Sequence, residues 1–531
     1  MSKGRILVVD DLPDWRATLS GILLDEGYDV RVASSRQEAL RLLEAERFHL
    51  AVLDIRLDES DEGNREGLEL MRQIKSFDPT ISVIVLTGYA KVDMVQEALR
   101  PQANGISLAY SFVEKPNSQE LIEFVESAFQ REIKINWDLT IHTDGDFLYE
   151  LPTRLRFAGR RRPPWDQQIA EVEELLRKLF FNCEAIILHP LKYGFSRAVV
   201  FRVEPHYHSK GLGESVVAKI GEWRLIEREE GNFAWAVQGV VGGHRLPQRL
   251  ELARTRSLGG LIYSFAGLGD TTSFFEFYEK SAPSQITPVL ENLFLQTCFP
   301  WTRHDKQARS SFNFAQHYCS HLNLNPTELR DALETRLLQQ DYLSSLADTD
   351  TMFKFLDRIR LVNPVKFVLG RPLIGDAYLT LVHGDLTGYN VILDHHLESW
   401  LIDFAKTGPG LLLQDFASFE NFVKFSLLDA VDPQAFYNWE NELAGTTTLR
   451  PSDRLLQLQM DDGQLIKVHQ VILTIRRLAY QVSGDDHLRE YMMGLLFHAL
   501  KLITIKKLDP IQYDLALVSA ALVCRRLMED S

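Results

Sequence analysis

Short apolar strands alternate with amphipathic helices over the first 130 residues. After each strand, apolar residues recur every three or four positions, as on one face of a helix. Five such units predict an α/β fold, a doubly wound five-stranded parallel sheet with helices on both faces. The predicted strands are Ile6–Val9, Val30–Ala33, Leu50–Leu53, Ser82–Leu86 and Tyr110–Val113, and the predicted helices are Asp14–Leu24, Arg36–Glu46, Leu68–Ser76, Lys91–Leu99 and Ser118–Phe129.

Polar residues follow these strands at the edge where such sheets bind their ligands. Asp10 and Asp11 end the first strand, Asp54 the third, Thr87 the fourth and Lys115 the fifth. A divalent cation makes clustered carboxylates tolerable, and it neutralises charge on an incoming phosphoryl group. This set of residues resembles that of the response-regulator receiver domain, and we assign residues 1–130 to it.

The resemblance implies a role in a phosphorelay. In that family the residue at Asp54 is the phosphoacceptor, Asp10 and Asp11 hold Mg²⁺ together with it, and Thr87 and Lys115 engage the phosphoryl oxygens. The expected partner is then a sensor histidine kinase or a phosphotransfer protein.

Two further features concern the same domain. Phe112 matches the family's switching aromatic residue. The loop RLDESDEGNREG after Asp54 is longer and more acidic than the usual link in this family. The sequence therefore does not identify the partner that docks on that face. Receivers of this family can dimerise through their last helices, so a homodimer through the receiver stays open as well.

Composition narrows the class of protein. A chain of 531 residues is too long for one core, and the net charge of -15 argues against general nucleic-acid or anionic-membrane binding. The four cysteines have no short paired spacing, which favours buried thiols over disulfides or a zinc site. No apolar run approaches the ~18 residues of a membrane span. We therefore expect a cytoplasmic protein without a membrane partner.

The pattern weakens between residues 131 and 182, which we predict to be a linker. Ile133–Ile141 and Phe147–Leu151 could pair as a hairpin across HTDGD. The basic run Arg154–Pro164 favours a solvated linker over a phosphate or nucleic-acid patch. Trp165–Phe181 is predicted to be an amphipathic helix.

Another group of chemically suited residues lies in the stretch 379–420. Two short strands, Leu379–Val382 and Trp400–Ile402, deliver Asp385, Asn390 and Asp403 at or after their ends. Phosphoryl transfer needs an acidic residue to orient the attacking hydroxyl and oxygen ligands to hold magnesium on the phosphates. These residue types meet that need.

The motifs HGDLTGYN and LIDF resemble the catalytic and metal-binding segments of the aminoglycoside phosphotransferase and choline kinase group, the small-molecule branch of the protein-kinase-like fold. The resemblance implies that Asp385 is the catalytic base and that Asn390 and Asp403 hold Mg²⁺. His383 and Asp415 are better explained as residues that brace the loop by hydrogen bonds.

The preceding region, residues 183–268, resembles the nucleotide-covering lobe of that fold. A lysine on its third strand, Lys219, can reach the phosphates of ATP, and Glu229 on the next helix is the expected partner of its ammonium group. Gly194 and Ser196 form a phosphate loop with a single glycine. The predicted elements are the strands Ala185–Leu188, Ala198–Val203 and Ser215–Ile220, the helix Glu222–Val237 and the hinge Leu261–Phe265.

We expect residues 269–531 to form the second lobe of an α+β two-lobed domain and to be largely helical. Its aromatic residues at helical spacing favour core positions over a binding role, and nothing in them identifies the acceptor substrate. The predicted helices include Phe274–Lys280, Ile286–Thr297, Phe312–His321, Thr327–Asp341, Val468–Val482 and Leu488–Ile505.

Together these patterns predict a response regulator in which phosphorylation of Asp54 controls an ATP-dependent and Mg²⁺-dependent phosphotransferase-like output domain. The acceptor is an unidentified hydroxyl compound. The chief alternative is a phosphorylation-gated scaffold whose kinase-like half binds nucleotide without transferring phosphate, which the single glycine of the phosphate loop favours. A DNA-binding regulator would depend on the arginines between Arg154 and Arg162 alone.

Overall fold

The computed structural model of the chain contains two compact units. The first consists of Met1–Leu191, Phe195–Ile226 and Arg249–Ser264, and the second of Lys192–Gly194, Glu227–Gln248 and Phe265–Ser531. The structure describes residues 3–57, 65–88, 99–100, 107–115, 117–143, 145–157, 163–190, 198–208, 211–238, 248–264, 271–339, 342–346, 348–429, 431–505 and 509–529. Among the described helices, none combines the length and the apolar character that a membrane crossing requires.

A five-stranded parallel sheet forms the beginning of the first unit, with the strand order β2-β1-β3-β4-β5. This confirms the predicted doubly wound sheet. Its strands are β1 (Arg5–Val9), β2 (Asp29–Ala33), β3 (Leu50–Leu53), β4 (Ser82–Thr87) and β5 (Ser111–Glu114), and its described helices are Pro13–Asp25, Arg36–Ala45, Glu66–Phe77 and Ser118–Ala128. The predicted helix Lys91–Leu99 lies outside the described residues except for Leu99.

Both faces of this sheet are buried, as parallel sheets require. Successive side chains of a strand point to opposite faces, so Leu7 and Val9 enter one apolar cluster while Ile6 and Val8 enter the other. The continuous apolar runs in the sequence are explained by this two-sided burial.

A second sheet of the first unit has seven strands in the order β11-β12-β10-β8-β7-β6, and β9 pairs with β8. β6 and β7 are parallel, whereas β7, β8, β10 and β12 pair in antiparallel fashion. The strands are β6 (Thr140–Thr143), β7 (Ala185–Pro190), β8 (Val199–Tyr207), β9 (Gly211–Leu212), β10 (Val216–Glu222), β11 (Gln248–Arg254) and β12 (Leu258–Ser264).

The predicted hairpin in the linker is wrong. Thr140–Thr143 pairs with β7, and Phe147–Arg154 is a helix rather than a strand. Its buried residues Phe147, Leu148 and Leu151 have helical spacing and face the protein interior. The segment is therefore part of the compact unit. The predicted following helix is confirmed as Trp165–Leu179.

Helix Trp165–Leu179 packs closely on β12. A Cβ atom at Gly260 would lie 2.6 Å from a methyl carbon of Leu179 and 3.4 Å from Leu175. The Glu171 carboxylate accepts hydrogen bonds from the hydroxyl groups of Thr255 and Ser257 in the turn before β12. These contacts fix the helix on the seven-stranded sheet.

The same helix also contacts the five-stranded sheet. Glu174 is buried and lies 2.5 Å from the Arg47 guanidinium, 2.9 Å from the Lys178 ammonium and 3.6 Å from the His49 ring. The Arg256 guanidinium lies 3.6 Å from the centroid of the Phe77 ring. The two sheets of the first unit are therefore joined by a buried ion cluster and a cation-π contact.

The second unit contains three small sheets among many helices. Its sheet orders are β13-β19-β20, β14-β18-β21 and β15-β16-β17. The strands are β13 (Thr272–Ser273), β14 (Gln307–Asn313), β15 (Leu343–Ser345), β16 (Met352–Phe355), β17 (Ile359–Val362), β18 (Ile374–Val382), β19 (Val391–Leu393), β20 (Ser399–Leu401) and β21 (Gly408–Leu411).

Most of the predicted helices of this region are present, with shifted ends. The described helices are Phe274–Lys280, Pro283–Asn292, Phe299–Arg303, Phe314–His321, Pro326–Gln339, Pro364–Gly370, Gln414–Ser426, Pro433–Ala444, Asp453–Leu456, Gly463–Ser483, Leu488–Leu502 and Pro510–Glu529. The prediction missed β14 and the sheet of β15, β16 and β17. Helix Phe314–His321 starts two residues later than predicted because Phe312 and Asn313 pair with β18.

Candidate functional site

The first candidate site lies at the carboxyl ends of the parallel strands. The Lys115 ammonium after β5 donates to Asp10 Oδ2 at 2.5 Å and to Asp54 Oδ2 at 2.6 Å. Ligand oxygens of Asp10, Asp11 and Asp54 all lie within 4.8 Å of one another. Thr87 is the last residue of β4. The fold thus places the predicted residues at one edge and brings the three carboxylates and the lysine into contact range.

Burial and charge act in opposite directions in this cluster. Burial raises the pKa of Asp10, and the ammonium group of Lys115 offsets only part of that rise. For Lys115, burial lowers the pKa, but the carboxylates of Asp10 and Asp54 outweigh it and hold the pKa above its ordinary value. The Lys115 ammonium also lies 5.1 Å from the centroid of the Trp15 ring. Lys115 therefore stays charged, and the carboxylates have a cation to neutralise them.

The donor set fits magnesium. Carboxylate oxygens are the hard ligands that Mg²⁺ prefers. The backbone N–H of Leu12 donates to Asp10 Oδ1 at 2.9 Å, and that of Arg56 donates to Asp54 Oδ1 at 3.2 Å, so both carboxylates are oriented by the chain. Gly67 allows the next helix to pack against this point, because a Cβ atom there would lie 2.1 Å from the Asp54 carbonyl oxygen.

The second candidate site is the loop after β18 in the second unit. Asp415 accepts hydrogen bonds from the backbone N–H groups of His383 at 2.7 Å and Gly384 at 2.9 Å. The buried His383 ring donates from Nε2 to the carbonyl oxygen of Ile402 at 3.0 Å. The predicted bracing roles of Asp415 and His383 are confirmed. They hold the HGD turn against the segment that carries Asp403.

The predicted phosphotransfer residues lie on two segments of this loop that are joined by hydrogen bonds. The side-chain amide of Asn390 donates to the carbonyl oxygen of Asp385 at 2.8 Å, and the N–H of Ile402 donates to the carbonyl oxygen of Asn390 at 3.1 Å. Asp403 follows with a left-handed backbone, φ +69°, and the turn Phe404–Lys406 begins there. Asp385, Asn390 and Asp403 thus belong to one hydrogen-bonded pair of segments.

A lysine that sequence reasoning missed contacts Asp385. The Lys406 ammonium lies 2.8 Å from Asp385 Oδ1. Desolvation favours the neutral form of Asp385, but Lys406 outweighs it, so the pKa of this carboxyl lies below its ordinary value. Burial raises the pKa of Asp415 above its ordinary value despite its two backbone hydrogen bonds.

The turn after Asp403 is fixed by Glu229 and Asn232, two residues of the second unit on the helix Trp223–Asn232. Glu229 Oε1 accepts a hydrogen bond from the N–H of Phe404 at 3.3 Å, and the Asn232 side-chain amide donates to the carbonyl oxygens of Phe404 and Ala405 at 3.0 and 3.1 Å. Glu229 is fully buried. It therefore positions the turn that follows Asp403.

The structure describes only some of the other residues predicted for the nucleotide-covering region. Lys219 is buried on β10 and is paired in register with Val200 and Leu261. Gly194 and Ser196 lie outside the described residues, as does Phe265 at the end of the predicted hinge. The rest of that hinge is part of β12. The ion pair expected between Lys219 and Glu229 stays a prediction.

Comparison with known proteins supports the first site. The family model of the response regulator receiver domain matches residues 6–126. Sporulation initiation phosphotransferase F of Bacillus subtilis is 34% identical over 98 residues, which are 18% of this chain and 75% of that protein. The chain belongs to the response regulators. Receiver domains of response regulators interact with sensor histidine kinases or phosphotransfer proteins.

Two further similarities are also confined to the receiver. Nitrogen assimilation regulatory protein NtrX of Azorhizobium caulinodans is 37% identical over 127 residues, 24% of this response regulator and 26% of that protein. The response regulator TrrA of Thermotoga maritima, solved in complex with Mg²⁺-BeF, is 32% identical and covers 24% of this chain and 98% of that chain, with a TM-score of 0.19. The chain thus spans only about a quarter of the length of its NtrX relative.

The second unit of the response regulator matches a different family model. Ternary complex associated domain 9 matches residues 320–504, which include the whole loop of the second candidate site. The name of this model gives no reaction.

Several residues that build the second site carry no local sequence signal. His321 accompanies Lys406 and Asn232 around the loop, and its Nε2 donates to the carbonyl oxygen of Gly384 at 2.6 Å. Burial lowers the pKa of His321 to about 4, so the ring is neutral near pH 7. A histidine 63 residues before its partner could not be assigned to this loop from spacing alone.

Proposed function

We propose that this response regulator accepts a phosphoryl group on Asp54. We propose further that its second unit is part of an ATP-dependent and Mg²⁺-dependent phosphotransferase domain of the same chain, with a kinase-like fold. The acceptor is a compound with a hydroxyl group. The observation that supports the second part is the pair of hydrogen-bonded segments that carries Asp385, Asn390 and Asp403. Phosphorylation of the receiver controls the transferase.

In the receiver, the Asp54 carboxylate oxygen attacks the phosphorus of a donor phosphohistidine. The new bond is P–O, the P–N bond breaks, and its electron pair returns to the donor imidazole. Asp10, Asp11 and Asp54 would hold Mg²⁺, which neutralises charge on the phosphoryl oxygens when it is bound. Lys115 supplies a second positive charge at the same carboxylates, and Thr87 is the last residue of β4.

In the second unit, Asp385 orients the acceptor hydroxyl and receives its proton. The hydroxyl oxygen forms a bond to the terminal phosphorus of ATP, and the bond to the bridging oxygen breaks with its electron pair left on ADP. Asn390 and Asp403 have the oxygen donors that suit Mg²⁺, and Asp415 keeps the HGD turn in place. Positioning and charge stabilisation suffice for this chemistry.

The nucleotide-covering role of residues 183–268 is part of the same proposal. In such a lobe, a lysine on the third strand engages the phosphates of the nucleotide. Lys219 is buried on β10, where an ammonium group needs a partner. Replacing Lys219 with methionine should weaken MgATP binding about tenfold or more, whereas an unchanged affinity would remove this residue from the proposal.

The second function is a scaffold that binds nucleotide without transfer. The observation that favours it is the phosphate loop with one glycine, Gly194, since fewer glycines offer fewer close approaches of backbone to phosphate. Both functions leave the receiver chemistry unchanged.

Nucleotide turnover by the purified chain separates the two functions. ADP release is followed with MgATP, with and without an acyl-phosphate donor that loads Asp54, and with candidate hydroxyl acceptors. We expect turnover that the donor alters and that Asp385→Ala abolishes, while Asp376→Asn, an exposed carboxylate on the same strand β18, leaves it unchanged. Turnover that survives Asp385→Ala would refute the transferase, and MgATP binding without turnover would support the scaffold.

A further inference from the structure

Lys406 is the one cation that directly contacts the side chain of Asp385 among the described residues. Its ammonium group lies 2.8 Å from Asp385 Oδ1. The two residues are 21 positions apart and meet only because the segments after β18 and β20 come together. Lysine and carboxylate thus share the point at which the acceptor hydroxyl would react.

The backbone around Lys406 is held from both sides. The hydroxyl group of Thr407 donates to the carbonyl oxygen of His383 at 3.1 Å. A Cβ atom at Gly384 would lie 2.4 Å from the Lys406 carbonyl oxygen, so glycine with φ +80° is needed for this approach. Asn232 anchors the two carbonyl groups that precede Lys406. The backbone from which the Lys406 side chain extends is therefore held by the fold.

The Lys406–Asp385 pair is poorly placed for a purely structural role. The Lys406 side chain is 35% exposed and that of Asp385 is 38% exposed, and ion pairs in contact with water contribute little to stability. Lys424 is a useful contrast, because it lies between Glu420 and Glu440 with only 1% of its side chain exposed. The protein buries the structural lysine and leaves the Lys406 pair open to solvent.

We propose that Lys406 is a catalytic residue that contacts the transferred phosphoryl group while Asp385 orients the acceptor. An ammonium group has three N–H donors, and the bond to Asp385 uses one of them. The remaining donors lie beside the carboxylate at which the acceptor oxygen bonds to phosphorus. Negative charge on the oxygens of the transferred group is stabilised there as the bond to the ADP oxygen breaks. This inference rests on the proposed phosphotransferase function.

The proposal separates binding of the product nucleotide from binding of the reacting group. Lys406 should contribute little to the affinity for ADP, which lacks the transferred phosphoryl group. It should contribute much to the affinity for a complex of ADP with a mimic of that group. Calorimetric titration of the full chain with MgADP alone, and with MgADP plus aluminium fluoride, measures both. The variants are Lys406→Met and Lys406→Arg, with Lys366→Met as the control, because Lys366 forms an exposed ion pair with Asp350 at 2.5 Å outside this loop.

We expect Lys406→Met to bind MgADP within about twofold of the parent and to bind MgADP with aluminium fluoride about 100-fold more weakly. Lys406→Arg should recover part of that loss, and Lys366→Met should match the parent. Turnover by Lys406→Met should fall about 100-fold or more with little change in KM for ATP. Circular dichroism and thermal unfolding of each variant verify that the fold is kept.

Three outcomes would overturn the proposal. Equal affinity of the parent and Lys406→Met for the aluminium fluoride complex would show that Lys406 does not contact the transferred group. Faster turnover by Lys406→Met would mean that the lysine blocks Asp385. A parent that binds no MgADP would refute the phosphotransferase itself and this inference with it, and the flat titration of the parent distinguishes that failure from the other two.

Discussion

Replacing Glu174 tests whether the receiver and the seven-stranded sheet stabilise each other. Glu174 is the shared partner of Arg47, Lys178 and His49, and only 9% of its side chain is exposed. Glu174→Gln keeps the shape of the side chain and removes its charge. Loss of one partner from a buried ion cluster costs about 3–5 kcal/mol. Because Arg47 is partly exposed, we expect the lower end, about 3 kcal/mol.

Thermal unfolding of the full chain at pH 7, followed by circular dichroism, measures this loss. At about 2–4 °C per kcal/mol for a unit of this size, the transition of the first unit should fall by about 6–12 °C. The matched control is Glu184→Gln in the same unit, whose carboxylate is 63% exposed and lies 3.7 Å from His208. We expect that variant to melt within about 1 °C of the parent.

The effect of pH gives a second check on the same residue. Burial opposes ionisation of Glu174, but Lys178, His49 and Arg47 outweigh it and hold its pKa well below 4.5. A depressed pKa contributes stability above the unfolded-state pKa, and that stability is lost as the pH falls through the folded-state pKa. The difference between parent and Glu174→Gln should therefore be full at pH 7 and shrink below about pH 4.5. A variant that melts with the parent at pH 7 would refute the reasoning.

Three other predictions follow from single residues. Asp54→Asn should abolish labelling of the chain by a phosphorylated donor, whereas Asp25→Asn, an exposed receiver carboxylate, should be labelled like the parent, and equal labelling of both variants would exclude Asp54 as the acceptor. Asp415→Ala leaves two buried N–H groups without their acceptor and should lower the free energy of unfolding in urea by about 2–4 kcal/mol; a loss below about 0.5 kcal/mol would contradict the bracing role. Burial raises the pKa of Glu490 to about 7 although two backbone N–H groups donate to it, so its contribution to stability should decline as the pH rises from about 4.5 to about 7. The stability of the parent relative to Glu490→Gln should fall over that range, and a constant difference would show that Glu490 is ionised throughout.

The receiver sheet could be predicted from sequence because each of its units carries its own signals. Leu50–Leu53 has the predicted bounds since all four residues are buried and the polar residue Asp54 follows at once. Ends defined by packing were less accurate. The strand predicted to begin at Tyr110 begins at Ser111, and the helix predicted from Leu68 begins at Glu66. These differences of one or two residues depend on backbone pairing that one sequence does not show.

The helix Phe147–Arg154 shows why the linker was misassigned. The turn signal in HTDGD suggested a hairpin, and Pro152 made a helix less favourable. The apolar spacing of Phe147, Leu148 and Leu151 was a weaker signal that the tertiary structure supports. The secondary structure of a short segment with both patterns depends on what the segment packs against.

The two candidate sites also differ in how well their residues could be predicted from the sequence. Asp10, Asp54 and Lys115 were predictable because parallel strands bring their carboxyl ends to one edge. Lys406 was not, because it lies 21 positions from Asp385 and the two meet only in the folded chain. Glu174 and Arg47 are 127 positions apart, and no local spacing predicts that pair.

The contacts of Glu174 with Arg47 and His49 and the carboxylate of Asp54 lie at different ends of the receiver strands. His49 and Arg47 precede β3, and Phe77 ends the helix that leads towards β4, so these contacts lie at the amino ends of the receiver strands. Asp54 lies after the carboxyl end of β3. Asp54 and the contacts with the attached sheet therefore lie at opposite edges of the receiver. In the proposed function, a donor protein that reaches Asp54 approaches the edge of the receiver that lies away from this ion cluster.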